Sequence, residues 1–275
     1  MTRTEVPRHP RAVGLLLGGI LTGALLAAGS TGLWLTLAGP EPLHADSRQQ
    51  TYREPVTGID ISVGLRDSTV TLINGQPGAV TVRQQLAWSR AEPVLEDDIV
   101  GRTLRIRSSC PPVLLPPAGQ CRADLVVEVP PGATVRADVA VGRIRAERLT
   151  GAVDLTAYGG DITVSDHRGR LRARSDGGNI TGTELAGAET DAEAEWGDVN
   201  LRYAVVPTVV QATSGTGDVS IIVPPAGTGA DGYRVRADTG GGRHTVDVPQ
   251  DSAGRHTIVA HAEQGDVTVR HRTSG

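Results

Sequence analysis

In the second half of the chain, apolar and polar residues alternate in short runs broken by glycine, and the breaks recur. The glycines that open them are Gly142, Gly160, Gly178, Gly197, Gly217, Gly242 and Gly265, spaced by 18, 18, 19, 20, 25 and 23 residues. Seven positions before each stand Val135, Val153, Leu171, Thr190, Val210, Val235 and Ile258. Five before stand Ala137, Leu155, Ala173, Ala192, Ala212, Ala237 and Ala260, and three before stand Val139, Ala157, Ser175, Ala194, Ser214, Thr239 and Ala262. A large, small, small set at period two is the inward face of a β-strand. Beyond the glycine, Ile144, Ile162, Ile180, Val199, Val219, His244 and Val267 begin a second alternating run. A further glycine follows nine residues later at Gly151, Gly169 and Gly187. Each unit therefore reads as strand, glycine turn, strand, glycine turn.

No such unit buries its inner face alone, whereas stacked units bury it continuously. The pattern predicts an all-β, parallel β-solenoid (β-helix-like) over 131–275, with equal positions of successive units about 4.8 Å apart. The outward residues agree: six before the glycine, Arg136, Asp154, Arg172 and Asp191 alternate in sign, as stacking of neighbouring strands requires. The hexapeptide form of the solenoid fails, because steps of six from Ile144 reach Thr150, Thr156, Ile162, Arg168 and Arg174. Residues 55–130 are also strand-rich, in runs such as IDISV (59–63), STVTLI (68–73) and ADLVVEV (123–129), but out of phase with the repeat. They are expected to start the stack and cap its first rung, because an open sheet edge invites other chains. No comparable cap is expected after Arg272. The alanine column predicts a thin coil without room for rings, in a chain with no Phe.

The first 54 residues read differently. No charged side chain occurs from Ala12 to Pro40, and an apolar run of about 20 residues suffices to span a bilayer as a helix. Residues 12–38 are expected to form a transmembrane helix, 1–11 a cytoplasmic tail and 39–54 a linker. Arg3, Arg8 and Arg11 against Glu5 place the tail inside and the solenoid outside the cell membrane. A signal peptide cleaved after Ala27-Ala28-Gly29 is the competing reading. Cys110 and Cys121 bracket a proline-rich loop, and an extracytoplasmic address favours a structural disulfide between them. A metal pair lacks nearby ligands, and a redox pair lacks the C-x-x-C spacing.

Charge and candidate chemistry add less. All 27 basic residues are Arg; the net charge of −4 speaks against a nucleic-acid partner. The acids after the turn glycines, Asp161, Asn179, Asp198, Asp218 and Asp266, read as turn caps, with a calcium-binding column as the alternative. Arg168, Arg170, Arg172 and Arg174 share one outer face and are a weak candidate surface for an acidic ligand, against a solvated, paired face. His167, His244, His256 and His261 are scattered, His244 at an inward position. No catalytic residue, metal site or cofactor motif is read. The outer aromatics are few: Tyr158, Trp196 and Tyr203.

The G-D-I/V steps at 160–162, 197–199, 217–219 and 265–267, the L-x-G turns at Leu149–Gly151 and Leu185–Gly187, and the V-P at 129–130 resemble the bacterial putative-adhesin family of β-strand-repeat proteins of unknown function, similar to the auto-transporter adhesin head domain. The resemblance covers roughly 55–272 and implies a β-solenoid exposed outside the membrane, with no catalytic residues to carry over. The resulting expectation is a membrane-anchored, adhesin-like binding or scaffolding module at the cell envelope, with an envelope glycan or protein as partner. The alternative is a carbohydrate-active enzyme of the polysaccharide lyase or hydrolase type on a β-helix.

Overall fold

The computed structural model describes residues 42–112 and 119–272. The predicted membrane-spanning run at 12–38 lies outside them. Among the described residues no helix is long and apolar enough to cross a membrane.

The first part of the chain forms β1 (His44–Tyr52), β2 (Gly58–Val63), β3 (Ser68–Asn74), β4 (Val80–Trp88), β5 (Val94–Val100), β6 (Thr103–Ser109) and β7 (Cys121–Val129). A long strand, β8 (Thr134–Glu147), opens the repeats. The next four units are β9 (Val153–Gly159) with β10 (Ile162–Ser165), β11 (Leu171–Gly177) with β12 (Ile180–Leu185), β13 (Glu189–Trp196) with β14 (Val199–Tyr203), and β15 (Val209–Thr216) with β16 (Val219–Val223). The last two are β17 (Tyr233–Thr239) with β18 (His244–Asp247), and β19 (His256–Gln264) with β20 (Val267–His271).

The first strand of each unit lies in one sheet and the second strand in the other. Sheet 1 runs β5-β6-β2-β8-β9-β11-β13-β15-β19-β17. Sheet 2 runs β1-β4-β7-β3-β8-β10-β12-β14-β16-β20-β18. Strand β8 bends through its glycine and serves both. All pairings are parallel except those of β5, β4 and β1, which are antiparallel. The described residues therefore form an all-β, solenoid-like stack of mainly parallel strands.

Two features depart from the sequence pattern. The first part is not wholly out of phase: β2–β3 is a full rung in register with the first repeat, pairing Ile61 with Ala137 and Val70 with Ile144. Its corner is made by Leu65, Arg66 and Asp67 in place of a Gly-Asp step, with Asp67 at φ 56°, so glycine spacing cannot detect it. The units also do not stack in chain order at the far end. Strands β19 and β20 insert beside β15 and β16 and leave β17 and β18 outermost. The reason lies in the inward residues. Ile258, Ala260, Ala262, Val267 and Val269 are buried and apolar and need cover on both sides. In β18 the inward column carries His244, a polar group that tolerates the end of the stack and is exposed there.

The core is the predicted set of columns. In the small column, Ala137, Leu155, Ala173, Ala192, Ala212, Ala260 and Ala237 stand in direct register. Rings are nevertheless accommodated: Tyr52, Tyr203 and Tyr233 are buried. They sit at strand ends, not in the alanine column. Tyr203, expected outside, continues the corner column of Leu149, His167 and Leu185, all buried. Burial pushes its phenol well above the ordinary value, as desolvation of a phenolate must.

Candidate ligand-binding face

The corner between the two sheets is built on glycine because successive coils touch there. A Cβ on Gly160, which has φ +137°, would lie 1.8 Å from the Gly142 carbonyl oxygen. The same clash recurs up the stack for Gly178, Gly197, Gly217, Gly265 and Gly242, each against the glycine of the adjacent coil. Beside this column the acids form a hydrogen-bonded ladder. The backbone N–H of Asn179 donates to Asp161 Oδ1 (2.9 Å), that of Asp198 to Asn179 Oδ1 (2.8 Å), that of Asp218 to Asp198 Oδ1 (2.8 Å), and that of Asp266 to Asp218 Oδ1 (2.7 Å). Arg243 N–H closes the series on Asp266 Oδ1 at 2.8 Å. Each side chain thus caps the neighbouring coil, not its own turn. Ser175, Ser214 and Thr239 add hydroxyl bonds to the stacked glycine carbonyls at 3.0, 2.9 and 2.7 Å.

Cys110 and Cys121 are joined by a disulfide. It ties the end of β6 to the start of β7, the two strands of the outermost parallel rung.

Of the four arginines of the candidate surface, Arg172 and Arg174 lie on β11, Arg170 just before it and Arg168 in the preceding corner, and each has an acidic partner. Arg170 pairs with Glu189 (3.3 Å), Arg172 with Asp191 (3.3 Å) and Arg174 with Glu193 (3.1 Å), and Arg168 lies 3.7 Å from Asp166. The alternation of sign runs further than the repeat alone shows. Asp98, Arg105, Asp60, Arg136, Asp154, Arg172 and Asp191 stand in one row across seven adjacent strands. The positive charge of this face is neutralised in place.

A group of unpaired acids lies at the end of the sheet 1 strands nearest the glycine corner. Two residues before the corner glycines stand Tyr158, Asp176, Glu195, Gly215 and Glu263. Asp176, Glu195 and Glu263 line one groove of about 530 Å³ together with Thr213, Gly215 and the Arg174–Glu193 pair. Among the described residues these three carboxylates have no hydrogen bond or ion pair. Gly215 forms the floor, because a Cβ there would approach the Glu195 carbonyl oxygen to 2.7 Å. Tyr158, in the same column, and Trp196, next to Glu195 in the chain, are 59% and 62% exposed. Gly177 lies between their coils, and a Cβ on it would meet only the Tyr158 carbonyl oxygen, at 3.7 Å.

Sequence reasoning singled out the rings but passed over the acids. The column two before each glycine carried the signal, because its acids have no arginine opposite them in the next coil and, unlike the corner acids, cap no backbone N–H. The buried groups whose protonation the fold shifts lie elsewhere. His167 is held below its ordinary value by burial, and Tyr233 is pushed up to about 12 by burial. Both belong to core columns and corners. Among the described residues, no three of His, Cys, Asp and Glu converge as metal ligands.

Residues 132–274, more than half of the chain and all of its repeats, match the family model described as Toastrack DUF4097. The chain belongs to the Toastrack DUF4097 family. This Toastrack chain is also similar in fold to a structure from Bacteroides fragilis NCTC 9343 described as a putative adhesin, with 14% identity and a TM-score of 0.46 over 82% of this chain and 97% of that one. A putative adhesin from Parabacteroides distasonis ATCC 8503 shares 14% identity, with a TM-score of 0.37 over 84% and 98%. A protein of the same bacterium described as a putative lipid binding protein shares 11% identity, with a TM-score of 0.31 over 82% and 97%. No curated protein matches the sequence. The resemblance read from the G-D-I/V steps and the family match agree on an all-strand repeat protein.

Proposed function

We propose that this Toastrack protein is a non-catalytic binding module of the cell envelope, anchored by its N-terminal apolar segment. Its ligand is an extended, hydroxyl-rich glycan carrying amines. The observation that carries the proposal is the groove lined by unpaired Asp176, Glu195 and Glu263, on a stretch of stack whose coils also carry the exposed rings Tyr158 and Trp196. Aromatic faces pack against apolar faces of a ligand, and free carboxylates accept bonds from hydroxyl and ammonium groups. Tyr158 and Trp196 are two coils apart, roughly 10 Å along the stack at the parallel-strand spacing, so the surface suits a linear polymer lying along the axis. The disulfide and the apolar run with basic residues before it support an address outside the membrane. An enzyme on the same scaffold is disfavoured because the buried groups with shifted protonation lie in the core and not on the groove.

Titration of the full chain in detergent with chitosan oligomers and with their N-acetylated counterparts tests the reading. Binding of the amine form, weakened about tenfold or more by Trp196→Ala and by Glu195→Gln, is expected. Equal binding of both forms, or of neither, sinks the assignment of the ligand. Cleavage of either oligomer sinks the non-catalytic reading.

A further inference from the structure

The two ends of the stack are finished differently. At one end, antiparallel β5 and β1 flank the last parallel rungs. At the other, β17 and β18 are the outermost strands of both sheets at once. Among the described residues, backbone pairing on the outer side of β17 is confined to its first residue, where Tyr233 bridges to Gln250 and Asp251 N–H donates to the Tyr233 carbonyl at 2.8 Å. From Arg234 to Thr239, and along β18, no described strand pairs with the outer edge. The core also runs out here. Val235, Ala237 and Val246 pack against it but stay only partly buried. An edge of this kind is a template for another strand unless its charges repel one.

The charges on β17 attract a second copy of the same strand. Arg236 and Asp238 both point outward and flank Ala237. They pair with each other at 3.4 Å, with side chains 80% and 48% exposed, and Asp238 also pairs with His261 of β19. In an antiparallel pairing with Ala237 opposite the Ala237 of a second copy, Arg236 of each copy faces Asp238 of the other. Opposite charges directly across such a pair stabilise it. The arrangement is isologous and closes at two copies.

We propose that the protein self-associates head to head through the β17–β18 end, each copy completing the sheet edges and the end of the core of the other. The result is one continuous solenoid of doubled length, with its groove repeated about a two-fold axis. The proposal does not depend on the ligand assigned to that groove.

Sedimentation velocity of the full chain in detergent, over a concentration series, reads the association directly. A concentration-dependent dimer is expected. Two charge-reversed variants make the test specific. Arg236→Glu and Asp238→Arg each place like charges across the dyad and are each expected to raise the dimer Kd at least about tenfold. An equimolar mixture of the two restores opposite charges at both cross-dyad pairs and is expected to re-form the dimer. Recovery on mixing also shows that neither variant failed to fold. A wild-type chain that stays monomeric throughout, single variants that dimerise like the wild type, or a mixture no better than its components would each overturn the proposal.

Discussion

The backbone N–H of Asp218 donates to Oδ1 of Asp198, 2.8 Å away in the adjacent coil. The bond belongs to a ladder in which Asp161, Asn179, Asp198, Asp218 and Asp266 each serve the next corner, so these side chains hold coils together at the point where the strands are interrupted. Asp198→Ala removes the acceptor and is expected to cost about 1 kcal/mol, read as a lowered urea midpoint with unchanged slope. Asp198→Asn keeps the acceptor and is expected to be nearly neutral, since Asn179 already fills the equivalent place. A large loss with Asn would show that charge, not hydrogen bonding, is what the ladder needs.

Glycine is required at the corner by contact, and this is not true of every glycine in the repeat. Gly160→Ala drives a methyl group into the Gly142 carbonyl oxygen at a φ that side chains avoid, and is expected to destabilise by more than about 3 kcal/mol. Gly177→Ala, where the space is open, is expected to change stability by less than about 0.5 kcal/mol. Thermal denaturation of the two variants, followed by circular dichroism, checks the contrast.

The Cys110–Cys121 disulfide closes a short loop between the two strands of the outermost parallel rung. In the chain-entropy model a loop of that length contributes about 3 kcal/mol. Reductant is expected to lower the melting temperature of the wild type and to leave the Cys110→Ser/Cys121→Ser double variant unaffected. Equal melting of the wild type with and without reductant would remove the disulfide from the stability of the cap.

His167 stands in a corner column otherwise filled by Leu149, Leu185 and Tyr203. Its Nε2 lies 3.3 Å from the Arg170 carbonyl oxygen, and its buried Nδ1 has no hydrogen-bond partner among the described residues. Burial holds its folded pKa below the ordinary value, so the unfolded chain binds the proton more readily than the folded one. Its contribution is therefore fully present above the unfolded value of about 6.5, and is lost as the pH falls from there through the lower folded value. His167→Leu matches the neighbouring coils, and is expected to raise stability and to flatten the pH dependence between about 6.5 and the folded value. Chemical denaturation at a series of pH values measures both; an unchanged slope with pH would exclude His167 as its source.

The architecture was legible in the sequence wherever a coil repeats its predecessor. The column of Ala137, Ala173, Ala192, Ala212 and Ala260 and the corner glycines are contact requirements that recur at fixed intervals, so their spacing is enough to reveal them. The rung of β2 and β3 escaped notice because Asp67 turns its corner with a positive φ in place of glycine. The charge row was seen only as Arg136, Asp154, Arg172 and Asp191. Its extension through Asp60, Arg105 and Asp98 crosses strands that the chain visits out of order. For the candidate site, Tyr158 and Trp196 stood out as rare rings, whereas Asp176, Glu195 and Glu263 looked like ordinary solvated acids until pairing showed which charges lack a partner.

By itself, then, the sequence determined the periodic part of this protein: two strands per coil, an apolar inward face, glycine at the corner and outward charges of alternating sign. These follow from local alternation and from stacking a unit on its own copy. Only the tertiary structure decided what depends on contacts between dissimilar segments. It set the placement of β19 and β20 inside β17 and β18, the admission of Tyr203 to a corner, and the surplus of acid on a stretch of stack that carries two exposed rings. Those choices turn on which faces must be covered and which charges are neutralised, and neither is visible until the coils are laid against one another.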